Sequence, residues 1–185
     1  MALTRCFICV DLPREIIQEV ERVQEELKKK NLFHGKFVEG ENLHLTLKFL
    51  GEIDEEKIEE VKRKLSEIKF EKFMAYLGEF GVFSSDYIRI VWTHILGKKV
   101  EDLQRIVDEK ISGLFEKEKR FMSHLTVARV KNVKDKKLLL QALKEIKVRN
   151  VGFEVNEFYL MKSELKPEGP EYSVLKEFRL GNPEN

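Results

Sequence analysis

The sequence predicts an antiparallel or mixed α+β fold in a single domain spanning residues 1–185. Three observations carry that expectation. Strand-like runs and amphipathic helices follow one another in mixed order, with both hairpin-length and crossover-length connections. Two of the strand runs are separated by only a few turn residues, as in a hairpin. A helix, a strand bearing His-Leu-Thr, and a second helix occur once in each half, with the histidines eighty residues apart. A doubly wound parallel sheet fits this order less well. The chain has 185 residues, enough for one well-packed domain that can be built as two lobes around a cleft.

Element by element, residues 5–10 are a short apolar run and read as a buried strand. Pro13 opens a helix in its first turn, where a missing N–H costs nothing. Ile16, Ile17, Val20, Val23 and Leu27 then recur at helical spacing as far as the Lys28–Lys30 run. Residues 36–38 suit an edge strand and residues 43–50 a central one, ended by Gly51. Asp54 caps a second helix with Ile58, Val61, Leu65 and Ile68 on its inner face. Runs 73–83 and 87–95 form the hairpin around Ser84, Ser85 and Asp86. A helix over 100–115 is marked by Val100, Leu103, Val107, Ile111 and Leu114. A central strand at 123–130, a helix at 135–146, and strands at 151–162 and 172–180 around a 167–170 loop complete the chain.

Composition narrows the function. A hydrophobic share of 42% excludes a disordered chain. With 34 basic and 33 acidic residues, broad non-specific wrapping of nucleic acid is disfavoured, while a local basic cleft gripping one terminus is not. Charged residues, mostly Lys and Glu, reach 36%, a bias that fits heat adaptation. Cys6 and Cys9 sit three apart on one strand, on opposite faces, so no disulfide is expected. No signal-peptide core and no run of membrane-spanning length is visible, which points to the cytoplasm.

The chemistry is carried by two matching tetrads, His44-Leu45-Thr46-Leu47 and His124-Leu125-Thr126-Val127. On a strand, residues i and i+2 share a face, so each tetrad presents His and Thr on one side and aliphatic side chains on the other. One such tetrad is most simply a core histidine. Two copies, in a chain with only four His and four Thr, make a constellation. Opening a 2′,3′-cyclic phosphate by in-line attack at phosphorus needs one imidazole to take a proton from water and another to give one to the departing ribose oxygen. The threonine hydroxyls can donate to the non-bridging oxygens. No His-Glu-x-x-His, paired Cys-x-x-Cys or acidic cluster suggests a metal, and no Gly-x-x-x-x-Gly-Lys loop suggests nucleotide triphosphate hydrolysis. Neither metal nor cofactor is expected. His34 and His94 lack a partner threonine and read as structural or exposed. Lys48 shares the His44 face under strict alternation, either lining the cleft mouth or solvated. Phe49 and Trp92 are candidates to stack on a base, with core packing the expected role for both.

The run from Leu43 to Glu52, Leu-His-Leu-Thr-Leu-Lys-Phe-Leu-Gly-Glu, resembles the first signature of the RNA 2′,3′-cyclic phosphodiesterases, also called 2′-5′ RNA ligases, of the two-histidine phosphoesterase superfamily. His124-Leu125-Thr126-Val127-Ala128-Arg129 resembles the second signature, and Lys162 to Tyr172 the C-terminal strand and loop. Residues 5–10 are similar to the family's first strand, and Gly81-Val82-Phe83 to Trp92 to its central hairpin. The resemblance covers nearly the whole chain. It implies a bilobal, pseudo-two-fold fold: two mainly antiparallel sheets facing a positively lined central cleft, helices outside. It implies hydrolysis of RNA cyclic phosphate ends, including those of tRNA halves, to 2′-phosphates by a monomer, with His124 as base and His44 as acid. It also implies the reverse joining of a 5′-hydroxyl end as a 2′-5′ linkage; a non-catalytic RNA-binding module is the alternative of another class. Where many members carry Pro or a small residue before the second histidine, this chain has Ser123. Arg129 matches the arginine thought to grip the phosphate. Strict alternation puts it on the face opposite His124, so a bulge or the strand's end must turn it.

Overall fold

The computed structural model describes residues 2–167 and 169–181. Glu168, in the loop expected at 167–170, lies outside the described residues, as do residue 1 and residues 182–185.

Strand β1 (Thr4–Val10) leads into helix α1 (Arg14–Lys30), followed by β2 (Phe33–Phe37), a 3₁₀ turn (Gly40–Asn42) and β3 (Leu45–Ile53). Helix α2 (Glu55–Leu65), strands β4 (Phe73–Val82) and β5 (Ile90–Leu96), and helix α3 (Lys98–Lys110) complete the middle of the chain. Then come β6 (His124–Val133), α4 (Lys136–Glu145), β7 (Gly152–Val155), β8 (Glu157–Leu165) and β9 (Pro170–Arg179). The strands form two sheets, ordered β3-β1-β8-β9 and β2-β6-β5-β4-β7, and every ladder is antiparallel. Apolar side chains from both sheets and all four helices join in one core cluster.

The helices begin and end where local chemistry says they should. Asp54 and Asp135 are N-caps whose carboxylates accept from the backbone N–H of Lys57 and Leu138, each satisfying a donor with no intrahelical partner. α1 ends on three lysines beside the partial negative charge of its C-terminus, and Asn31 closes it in the left-handed region at φ 50°. Pro13 proves to be the N-cap, in extended conformation, rather than a residue of the first turn.

Three expectations about strands need correction. The run at 43–50 is not central: β3 pairs with β1 only and is an edge of its sheet. Its apolar character reflects burial against α3 and proximity to β6 rather than a second hydrogen-bonded neighbour. Gly51 does not end that strand, which continues to Ile53. With φ +73°, Gly51 instead follows an unpaired Leu50, since Phe7 pairs with Phe49 and Cys6 with Gly51. Finally, the run at 151–162 is two strands. It changes sheets at Asn156, β7 pairing with β4 and β8 with β1 and β9. The apolar alternation slips by one residue there, with Phe153 and Val155 buried before the switch and Phe158 and Leu160 after it.

Candidate active site

A cavity of about 590 Å³ lies between the two sheets and is lined by His44, Thr46, His124, Thr126 and Arg129 together. The strands β3 and β6 that deliver them approach each other across it. All five residues singled out in the sequence therefore meet in one place.

Both histidines are held the same way. His44 Nδ1 lies 2.8 Å from the carbonyl of Asn42, and His124 Nδ1 lies 2.7 Å from the carbonyl of Met122. A carbonyl oxygen only accepts, so each Nδ1 carries the proton and donates it two residues back. Each Nε2 is left with a lone pair, the arrangement a proton shuttle requires. The surroundings differ. His44 is flanked by Phe7 at 4.8 Å and edge-on by Tyr172 at 5.2 Å, whereas His124 meets Phe83 edge-on at 4.9 Å. Burial pushes the His44 imidazole below its ordinary range, with the Arg129 charge acting in the same direction; the Asn42 bond and Asp11 oppose it.

A one-residue irregularity follows each His-x-Thr. In β3, Cys9 pairs with Thr46 and Ile8 with Lys48, so Leu47 has no partner. In β6, Trp92 pairs with Thr126 and Val91 with Ala128, so Val127 has none. An unpaired residue reverses the alternation beyond it. Arg129 is thereby turned to the face of His124 and Thr126. The bulge is supported from behind: Val127 O accepts from the Val38 N–H at 2.9 Å and from the buried Gln24 side chain at 3.0 Å.

The same device overturns two expectations. Lys48 does not line the cleft; it turns inward, 7% exposed, to form an ion pair with Asp108 of α3, and it donates to the Glu116 carbonyl at 2.6 Å. Phe49 takes the cleft position in its place and is 69% exposed, so it is not a core residue. Trp92 is only half-buried, on the cleft face opposite Thr126. His34 is exposed. His94 lies beside His124 across the ladder and pairs with Glu79, Nδ1 to Oε1 3.4 Å. Ser123 is buried, its carbonyl accepting from Ile95 N–H.

Several lining residues were not anticipated: Phe7, Arg5 and Lys36, together with Tyr172, quoted only as part of the C-terminal signature. Among the described residues, Arg5, Lys36 and Arg129 face a single acidic lining residue, Glu39, which makes the cleft locally basic in a chain of net charge +1. Nothing in strand periodicity distinguishes Phe7 from its buried neighbours; only the tertiary approach of β3 and β9 does. A second cavity, of about 800 Å³, opens on the other side of His44 and Tyr172 and is lined by Asp11, Glu41 and Glu171 among others.

Paired His-x-Thr strands on the facing sheets of an antiparallel α+β molecule are the arrangement that the resemblance to the two-histidine phosphoesterases implies. Comparison with known proteins narrows this further: the chain belongs to the LigT like phosphoesterase family, whose model matches residues 10–92 and 96–172. It is 39% identical over 179 residues to the RNA 2′,3′-cyclic phosphodiesterase of Methanocaldococcus jannaschii, covering 94% of this chain and 99% of that one. With the protein of the same name from Methanothermobacter thermautotrophicus it shares 37% over 182 residues, 95% and 98% of the two chains. Among solved structures, TT0787 of Thermus thermophilus superposes with a TM-score of 0.77 at 28% identity, over 97% of this chain and all of that one (100%).

Proposed function

We propose that this chain hydrolyses 2′,3′-cyclic phosphates at RNA ends to 2′-phosphates, with His44 and His124 as its acid–base pair and no metal. The observation that carries the proposal is the matched locking of both Nδ1 atoms onto backbone carbonyls in one cavity, which leaves two Nε2 atoms for proton transfer. The names of the relatives supply the substrate class. Among the described residues, no group of three or more His, Cys, Asp or Glu side chains is placed to hold a metal ion.

In this reading a water oxygen attacks phosphorus while His124 Nε2 takes its proton. The bond from phosphorus to the 3′ oxygen breaks, and His44 gives that oxygen a proton. The 2′ ester remains. Thr46 and Thr126 donate to the non-bridging oxygens and Arg129 neutralises their charge. The role assignment follows the family resemblance. It accords with the environment of His44 in one respect: a lowered pKa makes a protonated imidazole a stronger acid, and the substrate's anionic phosphate restores the proton that burial withholds. A 5′-hydroxyl in place of water gives a 2′-5′ linkage through the same atoms. We extend the proposal to a monomer acting in the cytoplasm on ends such as those of tRNA halves.

The test is phosphorus NMR of adenosine 2′,3′-cyclic phosphate incubated with the protein in excess EDTA. Conversion to the 2′-phosphate is expected. A 3′-phosphate product, or activity abolished by the chelator and restored by a divalent ion, contradicts the proposal.

A further inference from the structure

The cleft face of the five-stranded sheet continues past His124. Residues directly paired in an antiparallel ladder project to the same side. His124 pairs with His94 and Thr126 with Trp92; Trp92 in turn pairs with Gly81, and Leu96 with Tyr76. One face therefore runs from Arg129, Thr126 and His124 on β6, across Trp92, His94 and Leu96 on β5, to Tyr76 and Met74 on β4. Beyond the end of β4, Phe83 bridges the two parts, its ring 5.8 Å from Trp92 and 4.9 Å from His124. This face is uncovered: Met74 is 47%, Tyr76 42%, Phe83 52% and Leu96 41% exposed. The opposite face of the same strands carries Phe73, Ala75, Leu77, Val91 and Ile95, all in the core.

The rings on it lie down. A Cβ at Gly81 would come within 2.7 Å of the Trp92 ring, and one at Gly152 within 2.6 Å of the Tyr76 ring. Each glycine thus lets a cross-strand aromatic rest flat on the sheet; the Tyr76 ring is exposed, and the Trp92 ring is half-buried beside Phe83. Strand spacing and rise put the Tyr76 backbone roughly 12 Å from that of His124. Flat aromatic rings on an open sheet, beginning at the edge of a phosphate site, are what unpaired bases stack upon.

We infer that this face is a stacking platform for the nucleotides preceding the terminal one in a single-stranded RNA, an inference that rests on the cleft binding an RNA end. Two observations favour an RNA strand over a second protein chain as the occupant. The face is continuous with the cleft, so a strand whose end lies between the histidines must leave across some neighbouring surface. Among the described residues, the cavity behind His44 is lined by Asp11, Glu39, Glu41 and Glu171 and by Lys166, which pairs with Glu171, so its lining is net acidic and disfavours a phosphate backbone. On the platform, Glu79 is engaged by His94 and Glu154 stands on the far strand, opposite Met74. What it offers is π surface rather than charge, so base contacts, not phosphate contacts, hold the strand.

The test compares binding of a single-stranded hexanucleotide and of a mononucleotide, both ending in a 2′-phosphate so that neither is consumed, by fluorescence anisotropy and competition. The parent chain is expected to bind the hexanucleotide more tightly. Tyr76→Ala should weaken hexanucleotide binding by about tenfold, the usual loss for one stacked base. It should leave mononucleotide binding and turnover of adenosine 2′,3′-cyclic phosphate as they are in the parent, and Tyr76→Phe should restore the loss. Equal binding of the two ligands by the parent, an unchanged hexanucleotide affinity in Tyr76→Ala, or a dimer in sedimentation that Tyr76→Ala dissolves overturns the platform. Absence of turnover by the parent, with the binding pattern intact, counts instead against the cyclic phosphodiesterase reading.

Discussion

Phe49 and Arg129 occupy the same place in two different sheets. Each lies five residues beyond its histidine, and each is brought to the cleft by one unpaired residue, Leu47 in β3 and Val127 in β6. The two walls of the cleft are thus alike in backbone and opposite in chemistry, an aromatic ring facing a guanidinium. That asymmetry divides the work of binding. Arg129→Ala is expected to lower kcat/KM by about 10- to 100-fold, the worth of a charge-assisted hydrogen bond to the phosphate. Phe49→Ala should act mainly on KM, by about tenfold, if a base stacks on the ring. Steady-state kinetics on one cyclic dinucleotide end checks both, and a neutral Arg129→Ala removes the arginine from the site.

His44 should titrate below the ordinary imidazole pKa of about 6.5 in the free protein, because burial disfavours its charged form. As the proposed acid it must be protonated, so kcat/KM falls as pH rises through that lowered value. Once the phosphate anion is bound the pKa rises, and the corresponding limb of kcat moves to higher pH. Arg129→Ala should also raise the free value, since the guanidinium contributes to the depression. Proton NMR of the His44 ring with and without inorganic phosphate measures the shifts directly. A free value above 6.5, or no movement on binding, contradicts the assignment.

The two roles separate by leaving group. A ribose alkoxide departs poorly without a proton, whereas a nitrophenolate needs none. His44→Ala should therefore damage hydrolysis of a cyclic nucleotide far more than that of an aryl phosphodiester, while His124→Ala damages both. Rescue of His124→Ala by the aryl substrate reverses the roles.

Lys48 has left the cleft for a structural task. Its ion pair with Asp108 ties β3 to α3, and the same two side chains hold the Glu116 carbonyl and the Glu118 N–H in the segment that leads to His124. Lys48→Met leaves a carboxylate buried without its cation. The expected loss is about 3–5 kcal/mol, the range for breaking a buried pair from one side. Urea denaturation provides the measurement, and a loss under about 1 kcal/mol would class the pair with exposed salt bridges.

Much of this architecture was legible in the residues, and what was not has identifiable causes. Helices announced themselves through 3.6-residue periodicity and the cap Asp54, because those signals are local. The His-x-Thr pairs were legible because two rare residue types recur at one spacing. Arg129 was legible only with a bulge supposed. The bulge itself depends on Gln24 and Val38, distant in sequence, and leaves no mark at Val127. Lys48 and Phe49 were misread for the same reason, since a single unpaired Leu47 exchanges their faces. The edge position of β3 is decided by its partners, not by the pattern of the strand, whereas the sheet switch at Asn156 does leave a mark, a one-residue slip in alternation between Val155 and Phe158.

The central claim is that two imidazoles, and nothing else, move the protons. Its most direct test is the turnover number of His44→Ala and of His124→Ala on adenosine 2′,3′-cyclic phosphate in chelated buffer, with circular dichroism confirming that each variant is folded. Each substitution is expected to lower kcat by about 10² or more, the usual contribution of a positioned acid or base. A folded variant of either kind that turns over near the rate of the parent chain would contradict the account.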